Sequence, residues 1–301
     1  MLVVIAALSV AVVRLYPSET LAPTVADDLD SVRGRIRALK ADSANLGTCH
    51  DRMHEIGGDA YAEFGLHALD ASDEWCNAGY IHGIIEAALS ASTDPLSDIA
   101  TLCADRDPGT FAGWECWHGV GHGLMDYTYN DLPKVIAMCR SLPVGGAECV
   151  NGAFMENAIS ESDEHVTVWR RDDDSFFPCD GEDASVAGDC YLYAPVWYLE
   201  RHDRDYAAAF DWCLGADGYV SSCVRGVGAQ AMKDGIADPE AAARICASIT
   251  SELREDCIAG MTGIVVFHNA SVWPAEDWCA NRDAIDRPAC QAQIRALQPM
   301  F

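Results

Sequence analysis

Two histidines four residues apart, His118 and His122, sit in the stretch CWHGVGHG at 116–123. A second such pair, His50 and His54, lies in CHDRMHE, and His82 stands alone in CNAGYIHG. On a helix, residues i and i+4 share a face, so each pair would present two imidazole nitrogens from one rigid element. An imidazole from a neighbouring helix would complete the three-ligand set of a metal site. Nitrogen and carboxylate ligands suit zinc, iron or copper better than magnesium or calcium. The expectation is therefore a transition metal ion held among His50, His54, His82, His118 and His122. Glu86 and Asp126 follow Cys76 and Cys116 by ten residues each, at matching heights. They are the candidate general bases if an open metal position activates water or dioxygen, with Glu55 a poor third. Two plainer readings compete. The histidines could form a hydrogen-bonded polar cluster lining a ligand groove, or they could be incidental surface residues.

The elements that must position these side chains are marked by cysteines. Twelve of the fourteen fall into pairs 10 to 13 apart: Cys103 with Cys116, Cys139 with Cys149, Cys179 with Cys190, Cys213 with Cys223, Cys246 with Cys257 and Cys279 with Cys290. Cys49 and Cys76 make a seventh couple. Pair follows pair mostly at 33 or 34 residues, with about seven extra before Cys190. That period is the length of a helix–turn–helix unit. A short helical stretch precedes each first cysteine, as in DPLSDIATLC and DPEAAARIC. Asp94–Pro95 and Asp238–Pro239 read as an N-cap followed by proline in the first turn. A second helix follows each second cysteine, often opening Cys-x-x-Gly. A disulfide from the end of the first helix to the start of the second would close a loop of about ten residues. Each closure stabilises by roughly 2–3 kcal/mol by constraining the unfolded chain. The glycine three places after the cysteine costs about 1 kcal/mol in helix propensity, a cost that close approach of a neighbouring helix would offset.

Period, helix pairing and paired cysteines resemble cysteine-rich Sel1-type or tetratricopeptide-like arrays over roughly residues 46–300. The resemblance implies an all-α, disulfide-stapled solenoid of helical hairpins whose concave face takes a protein or small-molecule partner. Within that register the histidines stop looking scattered. His82 and His122 both fall six places after their leading cysteine, and His118 falls one turn before His122. Later units carry Met155, Val196, Ala229 and Gly263 at the sixth place. One unit departs from the pattern, with Tyr193 in place of the glycine and Pro195 inside the helix.

A formal charge of −27 opposes nucleic-acid binding, which needs a basic face. An even cysteine count without any CxxC pair points to disulfides and an oxidising, extracytoplasmic compartment rather than to zinc ribbons or iron–sulfur clusters. The apolar run MLVVIAALSVAVV reads as a signal-peptide core or short membrane anchor over residues 1–16. Residues 17–45 read as a polar tether with a lead-in helix, and 46–301 as the helical domain, its histidine-rich part confined to 49–126. GVGAQA at 226–231 mimics a dinucleotide fingerprint but follows no strand. The acidic segment 170–183 lacks the glycine and glutamate of a calcium loop and reads as solvated. Three functions remain: a metal-containing binding module, a metalloenzyme, and a structural interaction solenoid.

Overall fold

The computed structural model describes residues 25–42, 44, 46–159 and 167–301, so the expected signal or anchor segment lies outside the described residues. Those residues form an all-α protein of fourteen helices. None of them is long and apolar enough to cross a membrane.

A lead-in helix, α1 (Val25–Ala41), comes first. Eight helices of 12 to 19 residues form the inner layer: α2 (Cys49–Phe64), α3 (Gly79–Ser90), α5 (Phe111–Tyr127), α7 (Gly146–Ile159), α8 (Ala187–Arg201), α10 (Val220–Asp234), α12 (Ser251–Asn269) and α14 (Asp286–Leu297). Short helices of 8 to 10 residues alternate with most of them: α4 (Pro95–Leu102), α6 (Leu132–Ser141), α9 (Tyr206–Cys213), α11 (Pro239–Cys246) and α13 (Trp273–Ala280). Residues 65–71 and 179–181 form 3-10 turns in the two places where a short helix is missing. Each long helix packs on the next long helix in sequence.

The caps follow from the sequence. Asp131, Asp205 and Asp238 accept hydrogen bonds from the backbone N–H groups of Lys134, Ala208 and Ala241, which opens α6, α9 and α11. Asp94 stands at the corresponding place before Pro95 but makes no side-chain cap bond. All seven expected cysteine couples are disulfides, with Cα separations from 5.3 to 6.1 Å. Cys49 is bonded to Cys76, Cys103 to Cys116, Cys139 to Cys149 and Cys179 to Cys190. Cys213 is bonded to Cys223, Cys246 to Cys257 and Cys279 to Cys290. Six of the bridges tie the end of one element to the first turns of the long helix that follows, across the turn.

Helix α1 packs Leu29, Val32, Ile36 and Leu39, spaced three and four apart, onto Met53, Ile56 and Ala60 of α2. The ion pairs Arg35–Asp59 and Lys40–Asp73 hold it there. A separate, larger core runs from α3 to α14.

The close approach of the long helices is made by glycine. A Cβ on Gly152 would lie 2.0 Å from the His118 carbonyl oxygen, and one on Gly121 would lie 2.1 Å from that of Cys149. No real side chain tolerates those distances, so α5 and α7 touch backbone to backbone. The irregular unit keeps its helix. Pro195 sits inside α8, and the Tyr193 hydroxyl donates to the Asn151 amide oxygen at 2.7 Å.

The helix starts depart from the sequence reading in two ways. The second cysteine of a couple was expected to lead its helix, but the helix begins ahead of it: α10 starts at Val220, before Cys223, and α14 at Asp286, before Cys290. Residues between the two cysteines already supply the first helical turn, and the bridge lands inside the helix. At the first couple the reverse holds. Cys76 precedes its helix: Cys76, Asn77 and Ala78 are left-handed (φ 60°, 55° and 48°), and α3 begins at Gly79. Left-handed backbone costs about 1–2 kcal/mol per residue. The conformation aims the Cys76 and Asn77 N–H groups at the carbonyls of His268 and Phe267, at 2.7 and 3.2 Å. Those carbonyls lie in the last turn of α12, where helix carbonyls run out of intrahelical donors; that of Phe267 also accepts from the Ala270 N–H at 3.2 Å. The start of α3 is thereby joined to the end of α12, and the long helices surround a common centre.

Candidate metal centre

The five histidines singled out by spacing converge on one side of that centre. The imidazoles of His50, His54 and His82 offer ligand atoms that all lie within 4.8 Å of one another. His118 and His122 adjoin them, with ring centroids 5.3 and 5.2 Å from that of His82. The Nε2 atoms of His118 and His122 face each other at 3.1 Å. Two ligands of one ion at about 2.0–2.1 Å can adopt that separation. These groups could hold a metal ion.

Three of the five rings are oriented from behind. The Nδ1 of His50 meets the Cys76 carbonyl at 3.0 Å, that of His54 meets Glu86 Oε2 at 3.2 Å, and that of His122 meets Glu156 Oε2 at 2.7 Å. Each acceptor holds a proton on Nδ1 and turns Nε2 inward with its lone pair free. Metal-bound imidazoles are generally braced in this way. Trp114 stacks on His118 at 4.7 Å and 19°. His82 Nε2 lies 3.0 Å from Glu115 Oε2, yet the two are not aligned as a hydrogen bond.

Burial sets the electrostatics. It pushes His50, His82 and His118 well below the usual imidazole pKa, with the neighbouring imidazoles adding to the effect, so all three rings are neutral and able to ligate. Burial also works against a charged His54, but the hydrogen bond and charge of Glu86 outweigh it and raise its pKa. Glu115 is raised to about 8 by burial, well above the ordinary carboxylate value of 4.5.

The two carboxylates expected from the sequence have different places. Glu86 supports His54 from the outside. Asp126 accepts a hydrogen bond from the Ser90 hydroxyl and is not part of the pocket wall. Glu55 is exposed and pairs with Arg52. Glu115 and Glu156 were not singled out by the sequence reading. Both occupy places in the cysteine register, Glu115 immediately before Cys116 and Glu156 seven after Cys149. A register extended to those places would have found them.

A cavity of about 240 Å³ adjoins the histidines. His50, His82, Glu115 and His118 line it together with Lys233, Ile264 and Phe267. The sixth-place residues Met155, Val196, Ala229 and Gly263 all line it, as the register implies. A second cluster, His268 with Cys49 and Cys76, has Nδ1 3.6 Å from the Cys76 sulfur and 3.8 Å from that of Cys49. Those sulfurs are bonded to each other, so they are not thiolate ligands. The chain matches no family model, no curated protein and no solved structure, which leaves the chemistry of the site itself as the basis for a functional reading.

Proposed function

We propose that this protein is an exported metalloprotein in which His50, His54, His82, His118 and His122 bind a transition metal ion, zinc, iron or copper. Its scaffold is a solenoid of disulfide-stapled hairpins that curls round to meet itself. One observation carries the reading. Buried side-chain polar atoms without a hydrogen-bond partner among the described residues gather in this one cluster: His50 Nε2, His54 Nε2, both ring nitrogens of His82 and Glu115 Oε1. A buried polar atom left unsatisfied costs about 1–3 kcal/mol. Such a concentration in an otherwise well-paired core suits a cation that satisfies several of them at once. Seven disulfides fit an oxidising compartment, and bonded sulfurs leave imidazole and carboxylate as the ligand set.

The pocket favours a metalloenzyme over a closed storage or structural site, because three of the imidazoles and Glu115 form its wall. A ligand in the cavity would meet the ion directly, and Glu115 is the carboxylate placed to move a proton there. The volume suits a small molecule rather than a protein segment on an open concave face.

The test is elemental analysis of untagged protein purified from an oxidising compartment. The expected result is at least one transition metal ion per chain, lost on joint replacement of His118 and His122 by alanine. Sub-stoichiometric metal that the double replacement leaves unchanged would overturn the reading.

A further inference from the structure

Besides the histidines, the cavity lining carries a lysine that forms no ion pair. The chain has only three lysines against 47 acidic residues. Lys40 pairs with Asp73 at 2.6 Å, and Lys134 is exposed on the surface. Lys233, near the end of α10, lines the cavity instead. Among the described residues no carboxylate oxygen lies within 4.0 Å of its Nζ. The acidic groups that act on it do so from further away: Asp51 on α2, Glu115 on α5, and the adjacent Asp234. Asp234 is already engaged by Arg204, Tyr206 and Gln230. The field of Lys233 in turn reaches His50, His118 and Glu115, which line the same cavity. Lys233 is half-buried, so its ammonium is only partly hydrated, and a bound anion would give it the charge-assisted hydrogen bond that no carboxylate of the chain supplies.

We propose that the pocket binds a small organic carboxylate, with the carboxylate on Lys233, the apolar body against Ile264 and Phe267, and the far end presented to the histidine centre. The position of that far end rests on the metal reading above; the anchoring by Lys233 does not. Several features select this class. One ammonium matches a monoanion, whereas phosphate recognition draws on several donors and bidentate arginines. Arg225 also lines the cavity; its terminal nitrogen pairs with Asp256 at 3.6 Å, which leaves its buried Nε as one further donor beside the ammonium. The rest of the lining is largely apolar, with Met155, Leu192, Val196 and Ala229 beside the two residues named. At about 240 Å³ the space lies just under the roughly 300–1,000 Å³ of pockets that take drug-sized ligands, so the ligand is small.

The experiment is calorimetric titration of metal-loaded and metal-free full chain with benzoate and butyrate. Benzamide, butanol and inorganic phosphate serve as controls. Benzoate or butyrate should bind while the uncharged isosteres and phosphate bind at least tenfold more weakly. Lys233→Met should weaken carboxylate binding at least tenfold with metal content and melting temperature unchanged, and Lys233→Arg should restore most of it. The proposal is overturned if neither carboxylate binds, if benzamide or phosphate binds as well as benzoate, or if Lys233→Met binds benzoate like the parent. Metal content of the same preparations separates the two readings. Carboxylate binding in a chain that takes up no metal would sink the metal centre alone; stoichiometric metal without carboxylate binding would sink the ligand assignment alone.

Discussion

The joint between α5 and α7 and the joint between α10 and α12 are the same piece of structure carrying different chemistry. A Cβ on Gly152 or on Gly260 would lie 2.0 Å from the carbonyl oxygen of His118 or Arg225, the residue two after the register cysteine, Cys116 or Cys223, of the preceding helix. Gly121 and Gly228, five after those cysteines, each come to 2.1 Å from the carbonyl of the next register cysteine, Cys149 or Cys257. Backbone approach and staple are therefore alike at both joints. What differs is the side chains set on that backbone. His118, His122 and Glu156 stand at the first joint where Arg225, Ala229 and Ile264 stand at the second. Glycine contacts and disulfides build the frame, and the residues facing the centre decide what each sector of the frame does.

The sharpest way to break this comparison is to strip the chemistry from one joint. Joint replacement of His118 and His122 by alanine should abolish metal binding, read by elemental analysis. Ala229→Ser at the matching sixth place should leave metal content intact. The frame itself should respond evenly. Removing the Cys139–Cys149 bridge or the Cys246–Cys257 bridge, each by paired alanine substitution, should cost about 3 kcal/mol in urea unfolding of the metal-free protein, because the two close loops of nearly equal length. A large inequality would mean that the joints are not equivalent.

Gly152→Ala and Gly260→Ala should each destabilise by about 1–3 kcal/mol, since the added methyl must displace backbone. Only Gly152→Ala should also weaken metal binding, because it moves His118. Glu156→Gln should lower metal affinity about 10–100-fold by loosening the bracing of His122, with little change in the stability of the metal-free chain.

The effect of Glu115 has two signs. Between pH 4.5 and about 8 the folded chain holds a proton on Glu115 that the unfolded chain has released. Parent stability from this group therefore falls as pH rises across that window. Glu115→Gln should make the metal-free protein more stable than the parent, by a margin that widens as pH rises to about 8. The same substitution should weaken the metal-loaded protein. A loss of stability in both states would show that Glu115 serves packing rather than the ion.

Much of the frame was legible because it obeys local rules. Cysteine spacing, Asp-Pro starts and Cys-x-x-Gly openings each report a loop closure, a cap or a contact that the adjacent chain nearly determines. The five histidines were legible for the same reason, since a shared register fixes a shared height. Glu115 and Glu156 were missed because their importance lies in which neighbour they face. The expected role for Asp126 drew on height alone, and its carboxylate meets Ser90 at the joint between α3 and α5. The left-handed turn at Cys76–Ala78 has no signal in residues 76–78, because its partner lies nearly two hundred residues away in α12.

The chain's own pattern determined helices, staples and the alignment of imidazoles along their axes, since those depend on residues within a turn or two of one another. Only the tertiary structure decided that the start of α3 meets the end of α12. Two backbone hydrogen bonds and the Trp75 ring against His268 make that contact, Phe111 and Trp114 of α5 pack beside it on Phe267, and Lys233 and the histidines line one cavity. Which distant ends meet depends on the packing at every joint between them, and no local stretch of sequence records that sum.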